Sequence, residues 1–139
     1  MATRFVYVDK VGKVPSGNQL PIDLGFNPTP FQTMTVEVVT ATLQVADATY
    51  ETIVVRASLA AMNYFSSDSK DPVLCVSSQD TAVASGNILS LNGTAPALRV
   101  GAATRMVNLS LENGNGTSID VSSGDLQSFS LMLKLTYEA

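Results

Sequence analysis

Histidine and tryptophan are absent from this 139-residue chain and cysteine occurs once, and these gaps close off whole classes of function. Without histidine there is no side chain that ordinarily titrates near neutrality, no Ser-His or Cys-His nucleophile pair, and the commonest metal ligand is missing. A lone Cys75 excludes an intrachain disulfide. Its setting in the apolar run Val73-Leu74-Cys75-Val76 reads as a buried, inert thiol. Charge is scarce as well. Charged residues are 14% of the chain, against about 25% in an ordinary domain. Thr, Ser, Asn, Gln and Ala stand where Lys and Glu would normally clothe a free surface, and depletion of charge is expected where surface is buried against other subunits. A weakly charged extracellular β domain is the plainer alternative. The net charge of −4 and the scattered basic residues, from Arg4 to Lys134, give no footprint for direct nucleic-acid binding. No run approaches the ~18 to 20 apolar residues of a transmembrane segment. Met1-Ala2-Thr3-Arg4-Phe5 does not read as a signal peptide, so synthesis in the cytosol without export is expected. The sequons at Asn92, Asn108 and Asn115 are accordingly read as incidental.

What the chain does have is period-two alternation. Val107, Leu109 and Leu111 alternate with Asn108, Ser110 and Glu112; Phe129, Leu131, Leu133, Leu135 and Tyr137 alternate with Ser130, Met132, Lys134 and Thr136. Such a pattern puts one face of a strand in a core and the other towards water or a neighbour. Strands are expected at residues 4–8, 20–24, 33–45, 51–59, 73–77, 87–91, 97–100, 105–112 and 128–138, with a further short one at 118–121. In 33–45 the apolar phase slips by one, from Met34, Val36 and Val38 to Val39, Ala41 and Leu43, the mark of a bulge or of a strand changing sheets. In 51–59, Ile53, Val55, Ala57 and Leu59 are expected inward. Residues 9–18 read as a loop, 26–30 (Phe-Asn-Pro-Thr-Pro) as an extended corner, 46–50 as a short connection and 60–72 as a polar loop whose Tyr64 and Phe65 plug the sandwich edge. Residues 79–86 have room for one helical turn. No repeat or linker divides the chain. The expectation is one all-β domain over 1–139, an antiparallel β-sandwich of about eight strands, with the phase slip and uneven loops favouring a jelly roll over an up-and-down barrel.

No constellation of residues carries chemistry. Asp68/Asp71 and Asp120/Asp125 are the nearest carboxylate pairs, and both lie in Ser-rich stretches where Asp caps a turn. Calcium at Asp68-Ser69-Lys70-Asp71 is opposed by Lys70 and by too few ligands. Gly114-Asn115-Gly116 lies between strands with no helix to hold an anion, so it reads as a hairpin turn. Tyr7, Tyr50, Tyr64 and Phe65 could line a sugar site, but core or edge packing is the better assignment. The chain reads as a non-enzyme without cofactor or metal.

Phe5-Val6-Tyr7-Val8-Asp9, a polar loop and Leu20-Pro21-Ile22-Asp23-Leu24 lead into Phe31-Gln32-Thr33-Met34-Thr35-Val36-Glu37-Val38. With the closing pair 107–112 and 128–137, this order resembles the single jelly-roll minor capsid and penton proteins of large icosahedral double-stranded DNA viruses. The likeness covers the first 45 and the last 35 residues or so, as a pattern rather than a motif. The resemblance implies a virion capsid protein made in the host cytoplasm. It would form a pentameric vertex or pack against major capsid capsomers, with itself (as a homopentamer) and other capsid proteins as partners. Contact surfaces are then expected on outward strand faces, at Thr33, Thr35, Glu37, Ser130, Met132, Lys134 and Thr136, and along the uncharged segment 81–98. Two rival readings are a phage tail-tube, head-decoration or fibre subunit, and a carbohydrate-binding β-sandwich using Tyr64, Phe65 and residues 66–71.

Overall fold

A computed structural model describes residues 2–9, 19–25, 31–45, 52–67, 69–78, 88–90, 97–119 and 126–138. The 10–18 loop, the 26–30 corner, Tyr50, the 79–86 turn, most of the uncharged segment, Asn92, Asp68, Asp120 and Asp125 lie outside them. Ten strands appear among the described residues: β1 (Ala2–Asp9), β2 (Leu20–Asp23), β3 (Thr33–Val45), β4 (Thr52–Ala57), β5 (Val73–Ser78), β6 (Ile88–Ser90), β7 (Leu98–Gly101), β8 (Met106–Asn113), β9 (Ser118–Ile119) and β10 (Leu126–Glu138).

All strand pairings are antiparallel and fall into two sheets. In the first, β10 lies between β1 and β3, and the far side of β3 carries β7 beside residues 33–36 and β6 beside residues 42–44. In the second, β8 lies beside β4, which pairs β5, while the other side of β8 carries β2 and β9 end to end. With each end-to-end pair counted as one position, the orders are β1-β10-β3-(β7/β6) and (β2/β9)-β8-β4-β5. The chain crosses repeatedly between the sheets, and this winding is a jelly roll.

The inward rows of both sheets meet in one core. Phe129, Leu131, Leu133, Leu135 and Tyr137 of β10 are all buried, as are Val107, Leu109 and Leu111 of β8, and Ile53, Val55 and Ala57 of β4 with Leu59 just beyond. The phase slip in β3 is a bulge: Leu133 faces Val38 and Met132 faces Thr40, so Val39 has no opposite residue. Met34, Val36, Ala41 and Leu43 are buried on either side of it, but Val39 itself is half exposed, contrary to its expected inward phase, because it is the extra residue. A second bulge in β5 skips Leu74, between Val55 facing Cys75 and Arg56 facing Val73. Consecutive residues Leu74 and Cys75 both turn inward as a result.

The Asn113 to Gly116 segment makes the turn expected of it. Asn113 Oδ1 accepts from the backbone N–H of Asn115 at 2.9 Å and of Thr117 at 3.0 Å, and Gly116 takes φ +84°.

Candidate assembly surface

The seven residues expected at an interface come together on the outer face of the first sheet. The β10–β3 register sets Thr136 beside Thr35, Lys134 beside Glu37, and Ser130 beside Thr42, while Thr33 lies opposite Glu138. All seven are half-buried rather than fully exposed, since β10 and β3 each have strand neighbours on both sides. Lys134 Nζ stands 3.7 Å from Glu37 Oε1, with the two side chains 40% and 45% exposed. Thr42 and Ser130 share a hydroxyl hydrogen bond of 2.7 Å.

β1 continues this face on one side. Phe5 lies opposite Lys134 and Tyr7 opposite Met132, and the two aromatic side chains are 58% and 59% exposed. The core or edge packing expected of Tyr7 is therefore corrected: β1 is an edge strand, but Tyr7 points away from the core. In β1 the residues in phase with the core are Ala2, Arg4, Val6 and Val8. Arg4 ends up over the ring of Tyr137, 5.6 Å from its centroid, with its guanidinium 3.4 Å from the Leu24 carbonyl. Phe5 and Tyr7 were missing from the expected contact set. Their signal was present in the sequence: Phe5-Val6-Tyr7-Val8 is apolar in both phases, and an edge strand has only one core to face.

The outer face of the second sheet is built differently. Arg56 Nε donates to Glu112 Oε1 at 2.8 Å, and both side chains are only 14% exposed. Lys70 reaches the other Glu112 oxygen at 3.5 Å, and Arg56 Nη1 donates to the Asp71 carbonyl at 2.7 Å, so the segment returning to β5 is tied down across the sheet. Burial alone would lower the Arg56 pKa, but the hydrogen bond and charge of Glu112, with a smaller contribution from Tyr64, together outweigh it and hold the guanidinium above its ordinary value. Arg105 grips Asp23 through two hydrogen bonds of 3.0 Å, and these raise its pKa too.

Tyr64 and Phe65, the aromatics expected of a sugar site, have different settings. Tyr64 packs against the core and beside Arg56, whereas Phe65 is 89% exposed and plugs nothing, which corrects its expected role. Asn63 fastens this segment to β7, donating to the Ala97 carbonyl and accepting from the Arg99 N–H, both at 2.9 Å. Burial pushes the Cys75 thiol up to about 12, so it stays protonated and unreactive in the folded chain. Among the described residues no group of three or more Asp, Glu, Cys or His is placed to hold a metal ion, and no helix is long and apolar enough to cross a membrane.

No family model and no curated protein matches the chain. Solved structures similar to it include that of tomato aspermy virus, at 9% identity and a TM-score of 0.39, covering 99% of this chain and 78% of that one. Another is the K1 cleaved adhesin domain of Lys-gingipain from Porphyromonas gingivalis W83, at 9% identity and a TM-score of 0.35, covering 98% and 99%. A third is the infectious bursal disease virus Gx strain, at 9% identity and a TM-score of 0.34, where 96% of this chain matches 32% of that chain. Likenesses this distant decide nothing about function, and the assignment of the fold rests on the strand order itself.

Proposed function

We propose that this chain is a structural subunit of a virion capsid, without catalytic activity of its own. It acts either as a penton closing a fivefold ring or as a minor capsid protein packed against major capsid capsomers. The observation that carries this reading is the combination of a jelly-roll strand order with an outer sheet face that leaves Phe5 and Tyr7 bare. Exposed aromatics on a flat β surface are a contact surface waiting for a partner. The low charge content agrees with burial of that surface in an assembly. Partners are then copies of this chain and other capsid proteins, and the location is the virion, after synthesis in the host cytoplasm.

Copy number decides between the two positions. In purified particles a penton is present as one pentamer per vertex, and a minor capsid protein exceeds that number. Absence of the chain from particles overturns both. Negative stain of the isolated protein adds a second reading: closed pentamers favour the vertex, while stacked rings or trimers point to a tail-tube or fibre subunit.

A further inference from the structure

We propose that a second copy of this chain docks face to face on the outer surface of β1, β10 and β3. The contact has two-fold symmetry and sets Lys134 of each copy against Glu37 of the other. The inference rests on reading this face as an assembly surface, and it adds which molecule covers it.

Three observations converge on this occupant. First, β1 is apolar on both sides, with Val6 and Val8 turned to the core and Phe5 and Tyr7 turned out. A strand that reads apolar in both phases is one buried on both faces. Second, the face complements itself in charge. Lys134 and Glu37 occupy one row, on adjacent strands, 3.7 Å apart and open to solvent. A two-fold axis running along the strands between β10 and β3 lays β10 of one copy over β3 of the other, row upon row. Lys134 then meets Glu37, Thr136 meets Thr35 and Met132 meets Thr40, each pair formed twice. Face-packed sheets cross at about −30°, and a pivot on this central row keeps the two ion pairs in register. On the second sheet the central pair, Arg56 with Glu112, is only 14% exposed and Glu112 also holds Lys70, so it is not offered to a partner; the more open pair Arg105–Asp23 lies at the β2 side of that sheet. Third, the size is adequate. The axis lays β1 of each copy over the β7 side of the other, so the contact spans four strand positions at about 4.8 Å and ten residues at about 3.3 Å, roughly 600 Å² in projection, against the ~800 Å² of accessible surface that each partner buries in a standard interface.

A two-fold contact of one patch with itself closes at two copies. It therefore favours the minor capsid position over the vertex.

The test is a charge exchange on the full chain, read by size exclusion with light scattering. Wild type is expected to dimerise as concentration rises. Glu37→Lys alone and Lys134→Glu alone each set like charges together twice per dimer, and each should weaken self-association at least about tenfold. An equimolar mixture of the two variants should restore dimers, all of them mixed, because every row then sets a lysine against a glutamate. Thermal melts of each variant alone check that both are folded. Single variants that associate like wild type, folded variants that fail to pair when mixed, or a monomeric wild type overturn the proposal. A wild-type pentamer insensitive to both reversals also overturns it, while leaving the penton reading standing.

Discussion

On the outside of β4 and β8, Glu112 holds Arg56 at 2.8 Å and Lys70 at 3.5 Å beneath the segment returning to β5; on the outside of β3 and β10, Glu37 and Lys134 stand 3.7 Å apart in the open. Both faces belong to four-position sheets of the same sandwich, and each carries an ion pair across neighbouring strands, yet only one of those pairs is shielded from water. An ion pair that is 14% exposed on both partners has lost much of its water, so each charge depends on the other. An exposed pair gains little from its partner and gives it up at little cost. The difference separates charge used to finish a fold from charge left available to something outside it.

Four single substitutions and one double replacement test that separation, the single ones in falling order of effect on stability. Leu135→Ala, inward on β10 and fully buried, sets the scale: it should cost about 3 kcal/mol in urea unfolding, the usual size for a core leucine truncation. Glu112→Ala strands Arg56 under its covering segment and should cost about 2 kcal/mol by the same measurement. Replacing Arg56 and Glu112 together by Met and Leu should recover most of that loss. Gly116→Ala places a side chain at φ +84°, and its Cβ would approach Lys70 Nζ to 3.1 Å; a loss of about 1 kcal/mol is expected, mostly from the backbone. Glu37→Ala should move the unfolding midpoint by less than about 0.5 kcal/mol. If Glu37→Ala costs as much as Glu112→Ala, the two faces are equivalent and the comparison fails.

How much of this was legible in the sequence depends on the range of the interaction. The inward rows of β10, β8 and β4 follow from alternation, because a pleated strand sends successive side chains to opposite faces. The bulge at Val39 was legible as a phase slip, although the exposure of the extra residue was not. Strand order was not legible, since alternation says nothing about which strand lies beside which. The Arg56–Glu112 pair joins residues 56 positions apart, and Lys70 comes to it from a loop. Such contacts are set by register between distant strands, and no local pattern announces them. At the candidate surface, the row from β10 and β3 was read from exposure of the polar phase, while Phe5 and Tyr7 were missed because apolar residues are assigned inward by default. The uncharged segment offered as a second surface falls mostly outside the described residues.

The placing of β10 between β1 and β3 has a consequence for how the chain is made. In the finished sheet Ala2 pairs with Tyr137 and Thr33 with Glu138, so neither β1 nor β3 touches the other except through a strand synthesised more than eighty residues later. A ribosome delivers β1 and the Thr- and Val-rich β3 early, and both must wait with open edges and apolar rows until the strand that joins them emerges. Folding dominated by such distant pairings is slow, and waiting strand edges are where chains find one another wrongly. Yield of this protein in an expressing cell should therefore respond more to temperature and synthesis rate than its folded stability would suggest.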